Sequence, residues 1–427
     1  MSEFVPEGWT IGTLNEFASI KGGKRLPKGE QFSSIKTDYP YIRVTDFKNG
    51  SIDQRDLRYV SECIRDQIKR YVISSNDLYI SIAGTLGLVG EVPKKLDGAL
   101  LTENAAKIIF NSSQLTDKVF FKYYLNSIEA QEQFNQSKGT GGGVPKLALF
   151  RIEDTLVLVP PLPEQQKIAA ILTSVDEVIE NTQAQINKLK DLKTGMMQEL
   201  LTRGVGVDGK RHTEFKDSPV GRIPKGWEVV KLDNVATIQT GAAKSSKLTG
   251  DLIELPYLRV ANVQDGYLNL AEIKKIMIPR NKSERFLLQN NDVLVNEGGD
   301  FDKLGRGSIW HSQITPCAHQ NHVFVVRTDS KKLSPMFFNH ISGSEYGKKY
   351  YMGCAKQTTN LASINSTQLK QFPVLLPSLE EQDSICEVLD SVDQTIAKNQ
   401  VKLAQNRNLK KALMQDLLTG KVRVDTE

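Results

Sequence analysis

The sequence is poor in cysteine, has no long apolar run and carries no strong charge of one sign. Its 427 residues include four cysteines, and no two of them form a Cys-x-x-Cys pair. This spacing excludes a disulfide framework and favours a reducing compartment, so we expect a cytoplasmic protein. No run of about 18 apolar residues occurs, and the first residues form no basic-then-apolar leader, so we expect neither membrane spanning nor secretion.

The composition is that of an ordinary globular chain. Charged residues make up 25% and hydrophobic residues 39%, which is typical of folded proteins. The length is sufficient for two or three domains, each with its own core. The formal net charge of +5 permits an anionic partner but does not identify one.

Recognisable catalytic motifs are also missing. The sequence has no GxSxG elbow, no HExxH helix, no protein-kinase set and no Asn/Asp-Pro-Pro-aromatic tetrad to hold a flipped base. The Gly204–Lys210 segment has phosphate-loop spacing, but it follows a predicted helix and has Arg211 where Ser or Thr would bind magnesium. We therefore predict no catalytic site and interpret residues 204–221 as a polar linker.

One grouping, Cys317 with His319 and His322, suggests a metal. A structural zinc ion needs four ligands, and no second pair of Cys or His residues accompanies these three. We favour histidines scattered along a strand edge, and we predict no metal site.

The strongest signal is an internal repeat. The segment LPEQQKIAAILTSVDEVI, which begins at Leu162, returns from Leu379 as LEEQDSICEVLDSVDQTI. Further matches occur at offsets of 215 to 218 residues: PEGW with PKGW, YIRV with YLRV, NDL with NDV, and MQELLT with MQDLLT. A period this long indicates one unit used twice rather than a solenoid. Each unit is predicted to be a globular part followed by a long helix.

The globular parts are predicted to mix strands with short helices, an α+β arrangement. Apolar, β-branched runs bounded by turn residues are typical of strands. These runs are YPYIRV, DLYISI, TLVLVP, LPYLRV, DVLVN, HVFVVR and FPVLLP. Residues 118–134 and 335–351 are predicted to form helices between them.

Apolar positions in the two long helices step alternately by four and three residues, which is the period of a coiled-coil seam. We predict that the helices pair as an antiparallel coiled coil with pseudo-two-fold symmetry; the alternative is that each stripe packs on its own domain. Thr182 and Asn399 would meet near the crossing point, unless both face solvent. The predicted pairing residues are Ile168, Leu172, Val175, Ile179, Thr182, Ile186, Leu189, Ile385, Leu389, Val392, Ile396, Asn399 and Leu403.

Loops rich in Gly, Lys and polar residues recur at equivalent places in the two copies. Gly permits close backbone approach, Lys and Arg neutralise phosphates, and Asn, Gln and Arg read base edges. Ordinary solvated loops are the alternative, and Arg43 and Arg259 could equally be structural. The candidate DNA-binding residues are Lys21, Lys24, Arg25, Lys28, Arg43, Thr85, Lys138, Thr140 and Lys146 in the first copy, and Lys244, Lys247, Arg259, Lys303, Arg306, Lys356, Gln357, Thr358 and Asn360 in the second.

These motifs resemble, over nearly the full length of the chain, the specificity (S) subunit of type I restriction–modification systems. The resemblance rests on PEGWTIGTL and PKGWEVVKL, on YIRVTDF and YLRVANV, and on VPPLPEQQKIAAIL and LLPSLEEQDSICEVL. Each motif alone has moderate specificity, but their order, repeated twice, is highly specific. The first copy departs from the family pattern at GTGGGVPKL, where the second copy has KQTTNL.

The resemblance implies two tandem target-recognition domains, each reading one half of a split DNA site. The helices would set the unread spacer and dock two modification (methyltransferase) subunits, which use S-adenosylmethionine to methylate adenine N6. Restriction (motor-nuclease) subunits would join through them, while this chain would be non-catalytic and hold no cofactor. The implied segments are domain 1 (1–160), helix 1 (161–203), the linker (204–221), domain 2 (222–377), helix 2 (378–420) and a tail (421–427).

Two other functions stay open at this point. The chain could be a scaffold that brings two partner proteins together without binding DNA. It could also be an enzyme whose active site has no recognised motif.

Overall fold

A computed structural model of the chain describes residues 5–136, 145–206, 209–245, 249–299, 304–357 and 362–426. The chain divides into two compact units. Unit 1 comprises Met1–Gln183 and Val401–Glu427, and unit 2 comprises Ala184–Gln400. The division therefore runs through both long helices. Each unit contains one globular part, the first half of the helix that follows it and the second half of the other long helix.

Unit 1 mixes strands with short helices. Its strands are β1 (Thr10–Thr13), β2 (Ala18–Gly22), β3 (Pro40–Ile42), β4 (Phe47–Lys48), β5 (Ser51–Ile52), β6 (Arg58–Tyr59), β7 (Val72–Ile73), β8 (Leu78–Ser81), β9 (Val89–Glu91), β10 (Ala99–Leu101), β11 (Ala105–Phe110) and β12 (Leu156–Val159). Its helices are α1 (Leu14–Phe17), α2 (Glu62–Ile68), α3 (Lys118–Leu125), α4 (Ile128–Gln136), α5 (Leu149–Glu153) and the first half of α6 (Leu162–Arg203). Short 3₁₀ turns occupy Val44–Asp46, Lys69–Tyr71 and Lys94–Leu96.

The strands of unit 1 form two four-stranded sheets with the orders β6-β3-β10-β7 and β2-β11-β8-β9. Strand β10 runs parallel to β3, and β12 returns antiparallel to β1 just before α6 begins. The main core packs the second sheet against α3, α4 and the start of α6, where Phe120, Phe121 and Leu172 are fully buried. Burying side chains of this size contributes roughly 2 kcal/mol each, which anchors the start of α6 to the globular part.

Unit 2 repeats this construction. Its strands are β13 (Phe215–Ser218), β14 (Gly221–Pro224), β15 (Glu228–Lys231), β16 (Ala236–Thr240), β17 (Leu252–Leu258), β18 (Lys274–Pro279), β19 (Val293–Asn296), β20 (Gly298–Gly299), β21 (Gly307–Ile309), β22 (Ala318–His319), β23 (Val323–Thr328), β24 (Lys356–Gln357), β25 (Ala362–Ser363) and β26 (Pro373–Leu376). Its helices are α7 (Pro335–Gly343), α8 (Glu345–Cys354), α9 (Ser366–Lys370) and the first half of α10 (Leu379–Leu418), with 3₁₀ turns at Leu232–Asn234 and Arg280–Phe286.

The sheet order β16-β23-β19-β21 corresponds to β2-β11-β8-β9, and β22 runs parallel to β17 as β10 does to β3. The pair β15–β26 corresponds to β1–β12. The fold is therefore α+β, with two related mixed domains that are each followed by a long helix, as the sequence predicted.

The segment predicted as a linker, residues 204–221, makes contacts within unit 2. Within unit 2, β13 pairs with β14, and His212 Nε2 lies 2.8 Å from Glu381 Oε1. Part of the segment is therefore paired with the rest of unit 2, and the bounds of the linker stay a prediction. The phosphate-loop spacing at Gly204–Lys210 leads from a helix towards a strand and opens no helix in the described residues.

The long helices have 42 and 40 residues, which corresponds to about 60 Å each. Within each unit, the half of α6 and the half of α10 run antiparallel, and an equivalent Lys–Asp ion pair joins them. Lys410 lies 2.6 Å from Asp176 in unit 1, and Lys193 lies 2.7 Å from Asp393 in unit 2. Lys410 is the counterpart of Lys193 and Asp393 that of Asp176, each 217 positions on.

The predicted pairing residues are all buried or half-buried. Thr182 is buried, and its hydroxyl donates to Val178 O at 2.7 Å, so it does not face solvent. The predicted meeting of Thr182 with Asn399, and the pseudo-two-fold symmetry, relate residues of different units and stay predictions.

The repeated PxGW and EQ motifs meet at the start of each long helix. Trp9 Nε1 donates to the buried Glu164 at 3.0 Å, and Trp227 Nε1 donates to the buried Glu381 at 3.0 Å. In unit 1 a cation completes the junction. Arg423 donates to both oxygens of Glu164 at 2.7 and 2.9 Å, so part of the predicted tail belongs to unit 1.

The glutamines that follow these glutamates bind each helix start to a helix of the globular part. Gln165 Oε1 accepts from Asp117 N–H at 2.8 Å, and its Nε2 donates to Pro160 O at 2.9 Å. Gln382 makes the same bonds with Ser334 N–H and Pro377 O. Because buried amides need partners, these residues fix where each helix leaves its globular part.

Among the described helices, none combines the length and apolar character that membrane crossing requires.

Candidate nucleic-acid interface

Loops that are distant in sequence meet along one edge of unit 1. Lys24 N–H donates to Leu101 O at 2.8 Å, which holds the loop after β2 against the end of β10. Ala83 N–H donates to Asn104 O at 3.2 Å, and Ala83 also forms a β-bridge with Lys146. The loop after β2, the loop after β8, the turn after β10 and the segment at Lys146 therefore share this edge.

The predicted cations of this edge point to solvent or line a hollow. Lys21, Lys24, Arg25 and Lys28 are exposed, and Lys24 Nζ lies 5.7 Å from the centroid of the Tyr71 ring. The hollow has a cavity volume of about 420 Å³. Its polar lining residues are Arg25, Arg43, Thr45, Thr102, Glu103 and Asn104. A concave surface with cations and amide groups is suited to a phosphate-bearing ligand.

Thr85 and Lys146 are exposed on the same edge. The loop around Thr85 is closed by a bond from Ser81 Oγ to Thr85 O at 2.5 Å. Gly84 and Gly87 have φ angles of +79° and +76°, a left-handed conformation that favours glycine. The two glycines thus shape the loop tip that carries Thr85.

Arg43 and Arg259 have partners within the protein. The Arg43 guanidinium donates to both oxygens of Asp46 at 2.6 and 3.2 Å and to the Asp56 carbonyl at 2.7 Å. Arg259 Nη2 lies 3.7 Å from Glu272 Oε1. Of the two roles left open by the sequence, these contacts favour the structural one, although Arg43 also lines the hollow.

Unit 2 has an equivalent edge. Ala242 N–H donates to His319 O at 2.8 Å, and Asn321 N–H donates to Ala242 O at 3.0 Å. Glu297 N–H donates to His322 O at 3.0 Å, which brings in the loop after β19. The loop after β16, the loop after β19 and the turn after β22 are therefore joined as their counterparts are in unit 1.

The remaining predicted residues of unit 2 lie in or next to these loops. Lys244 is exposed two residues after Ala242. Arg306 Nη1 lies 3.5 Å from Gln264 Oε1, and Lys356 is exposed on β24, which pairs with β25. Gln357 is described through its backbone in β24. Lys138, Thr140, Lys247, Lys303, Thr358 and Asn360 lie outside the described residues.

The turns at the centre of both edges are not among the residues predicted from the sequence. In unit 1 the turn carries Glu103 and Asn104; in unit 2 it carries Gln320, Asn321 and His322. No cation or glycine marks these residues, so a search for basic, glycine-rich loops does not find them. Their equivalence becomes visible once β10 is aligned with β22 through their parallel partners β3 and β17.

The three residues of the zinc alternative do not form a metal group. Cys317 and His319 are buried, and burial raises the pKa of Cys317 to about 12 and lowers the pKa of His319 to about 4. His322 is exposed and contacts Glu297. Zinc coordination would require the buried Cys317 thiol to lose its proton, which its raised pKa opposes.

A different group of the described residues has the composition of a metal site. His340, Asp390 and Asp393 offer ligand atoms within 4.8 Å of one another. Lys193 Nζ lies 2.7 Å from Asp393, so an ammonium group already neutralises this carboxylate. The equivalent positions of unit 1 hold Tyr123, Thr173 and Asp176, where Tyr123 hydrogen-bonds to Asp176 at 2.8 Å. We therefore interpret both groups as hydrogen-bonded helix junctions.

Comparison with known proteins decides the family. Residues 6–191 and 224–405 match the family model of the type I restriction modification DNA specificity domain. The chain belongs to this family of specificity subunits. The two matched ranges reproduce the two copies of the repeat, and members of the family are non-catalytic DNA-recognition subunits of type I restriction–modification complexes.

Relatives align along almost the whole chain. The MjaVIII specificity subunit of Methanocaldococcus jannaschii is 28% identical, with 98% of this chain and 94% of the relative covered. The EcoKI specificity subunit of Escherichia coli is 24% identical, with 98% and 90% covered. A crystal structure of a type I S subunit from M. genitalium superposes with a TM-score of 0.58 at 14% identity, covering 98% of this chain and 97% of the other. The last comparison concerns the fold alone.

Proposed function

We propose that this specificity subunit reads a bipartite DNA site, with one half read by each globular part. The observation that carries the proposal is the pair of loop edges. Their backbone bonds recur in both units, while their side chains differ. Different side chains on a common framework are expected if two related domains read two different half-sites.

The long helices would set the spacer between the half-sites and dock two methyltransferase subunits. Leu192 and Leu409, 217 positions apart, are 53% and 51% exposed on their helices. A pair of exposed leucines at equivalent positions suits two copies of one partner. Because DNA strands are antiparallel, marking both strands requires two methyltransferases related by an approximate two-fold, which a duplicated chain supplies.

The remaining chemistry would belong to the partners. The methyltransferase subunits would bring S-adenosylmethionine and take the target adenine out of the stack to methylate N6. Restriction subunits would join the complex through them and cleave unmodified DNA. The specificity subunit itself would hold no cofactor and would act in the cytoplasm, where the host DNA lies.

The deciding experiment is a methylome. The chain is expressed with its cognate methyltransferase subunit in a host that lacks adenine methylation, and the DNA is sequenced for N6-methyladenine. We expect a split motif with two defined halves, methylated once on each strand. A stable complex of the two proteins that adds no methylation would contradict the proposal and favour a scaffold that does not bind DNA.

Arg25→Ala and Lys244→Ala should each weaken binding to all DNA sequences alike, because both exposed cations are proposed to contact phosphates. Each loss is expected to flatten the dependence of log affinity on log salt by about one unit of slope. The measurement is duplex binding by the full complex over a salt series. Lys95→Ala is the matched control, because exposed Lys95 lies before β10, at the end of that strand away from the turn. Equal slopes for all three variants and the parent would contradict the assignment.

A further inference from the structure

The turns at the centre of the two loop edges have the same backbone. Turn 1 connects β10 to β11 and comprises Thr102–Ala105; turn 2 connects β22 to β23 and comprises Gln320–Val323. Ala105 N–H donates to Thr102 O at 3.1 Å, and Val323 N–H donates to Gln320 O at 2.8 Å. Each turn is thus closed by a bond between its first and fourth residues.

Both turns are also held at their ends by the same neighbours. The first N–H of each turn donates to the adjacent parallel strand, Thr102 to Ile42 O at 3.1 Å and Gln320 to Leu258 O at 2.9 Å. The third carbonyl of each turn accepts from the loop after β8 or β19. Asn104 O accepts from Ile82 N–H at 2.9 Å in unit 1, and His322 O accepts from Glu297 N–H at 3.0 Å in unit 2. The turn backbones are therefore anchored to the sheets on both sides.

A glycine approaches each turn so closely that no side chain fits. A Cβ atom added to Gly23 would lie 2.1 Å from Thr102 O, and one added to Gly241 would lie 2.5 Å from Gln320 O. The basic loops are thereby fastened beside the turns. A rigid turn presents its side chains with little loss of conformational entropy on binding.

The side chains of the turns differ in chemistry between the units. Turn 1 presents Glu103 and Asn104, and Asn104 makes no side-chain hydrogen bond to the described residues. Turn 2 presents Gln320, Asn321 and His322, and Gln320 likewise makes no side-chain hydrogen bond there, while Asn321 Nδ2 lies 3.2 Å from His322 Nε2. All five are half-buried or exposed. The framework is shared, and the groups that it displays are not.

These are groups that distinguish bases. Asn and Gln pair with the N6 and N7 edge of adenine, and a carboxylate accepts from cytosine N4. Glu103 lies in the same hollow as Arg25. If DNA occupied this hollow, its phosphates would repel the carboxylate, so Glu103 would contribute to binding only where a base donor satisfied it. This makes Glu103 suited to discrimination rather than to general affinity.

We propose that turn 1 and turn 2 are the base-reading elements of the two half-sites, with Glu103 and Asn104 specifying bases of one half and Gln320 and Asn321 specifying bases of the other. The proposal rests on the proposed function, since it names the residues that perform the readout. The surrounding Lys and Arg residues then position the duplex without specifying its sequence.

The test uses single variants of the full chain with its cognate methyltransferase subunit. Glu103→Gln, Asn104→Ala, Gln320→Ala and Asn321→Ala are each examined by the methylome and by selection from randomised duplex DNA. Each variant should lose about 10- to 100-fold in discrimination at one or two base pairs of a single half-site. Variants of turn 1 should affect one half, and variants of turn 2 the other half.

Matched controls separate base readout from a general change in charge or polarity. Glu132→Gln and Gln371→Ala remove the same groups from exposed sites outside the turns, in unit 1 and unit 2 respectively. Both should leave the motif unchanged. The double variant E103N/N104H gives turn 1 the corresponding residues of turn 2 and should change the preferred bases of the first half while binding persists.

The outcomes distinguish this inference from the proposed function. A parent complex that yields no split motif would remove the proposed function. A parent with a split motif whose bases stay the same in all four single variants and in E103N/N104H would overturn the assignment of the turns and leave the proposed function standing. Loss of both half-sites in a variant that remains folded would also overturn it, because the turns would then act on assembly.

Discussion

His319→Leu is expected to make unit 2 more resistant to acid. His319 is buried in β22; its Nδ1 lies 2.7 Å from Val323 O, and its Nε2 has no hydrogen-bond partner among the residues that the structure describes. Burial lowers the pKa of this imidazole to about 4, compared with about 6.5 in an unfolded chain. The buried ring therefore resists protonation as long as the unit stays folded.

The sign of the effect follows from proton uptake. Below pH 6.5 the unfolded state binds a proton at this position, while the folded state binds it only near pH 4. The stability associated with His319 is therefore fully present above pH 6.5 and is lost as the pH falls towards 4. The full loss is about 3 kcal/mol, since each unit of pKa difference corresponds to about 1.4 kcal/mol.

The measurement is urea unfolding at a series of pH values between 7 and 4. Trp227 and Trp310 belong to unit 2 and Trp9 to unit 1, so two of the three tryptophans report on unit 2. Leucine suits the position, because Leu101 is the equivalent buried residue of β10. His311→Gln, at an exposed site, is the control. If the His319→Leu variant lost stability with falling pH as steeply as the parent, the buried imidazole would not be the cause.

The sequence predicted the architecture well because the repeat supplies two independent examples of each signal. The motifs PxGW, ND and EQ each recur at equivalent positions of the two units. Asp77 accepts from Ser74 N–H at 2.9 Å and Asp292 accepts from Gln289 N–H at 2.7 Å, so each ND pair closes the turn before a buried strand. Long helices with a sustained apolar period are likewise predictable, because the pattern extends over many turns.

What the sequence did not predict depends on contacts between distant residues. His212 belongs to a segment that looks like a linker, and its role becomes visible only beside Glu381. The division into units through the helices follows from the antiparallel pairing within each unit, which a linear list of segments does not show. Glu103, Asn104 and Gln320 resemble ordinary turn residues, and only the shared hydrogen bonds of their turns make them equivalent.

Glu164→Ala is expected to lower the free energy of unfolding of unit 1 by about 3 kcal/mol. Glu164 is buried and accepts from Trp9 Nε1 and from two nitrogens of Arg423. Its removal leaves the buried indole N–H without an acceptor and takes two hydrogen bonds from Arg423, which keeps its bond to Glu7 O at 2.8 Å and lies 5.8 Å from the Trp9 ring. The segment after α10 should then detach from the start of α6. Urea unfolding measures the loss, and hydrogen exchange of residues 421–426 measures the detachment.

Glu177→Ala is the matched control, since Glu177 is exposed on the same helix and the substitution is identical. Glu164→Gln should have an intermediate effect, because an amide oxygen still accepts from Trp9 but no longer attracts Arg423. Glu381→Ala tests the same junction in unit 2, where His212 makes one contact at 2.8 Å in place of the two from Arg423. We therefore expect a smaller loss there. If Glu164→Ala cost no more than Glu177→Ala, the repeated PxGW and EQ motifs would need an explanation other than this junction.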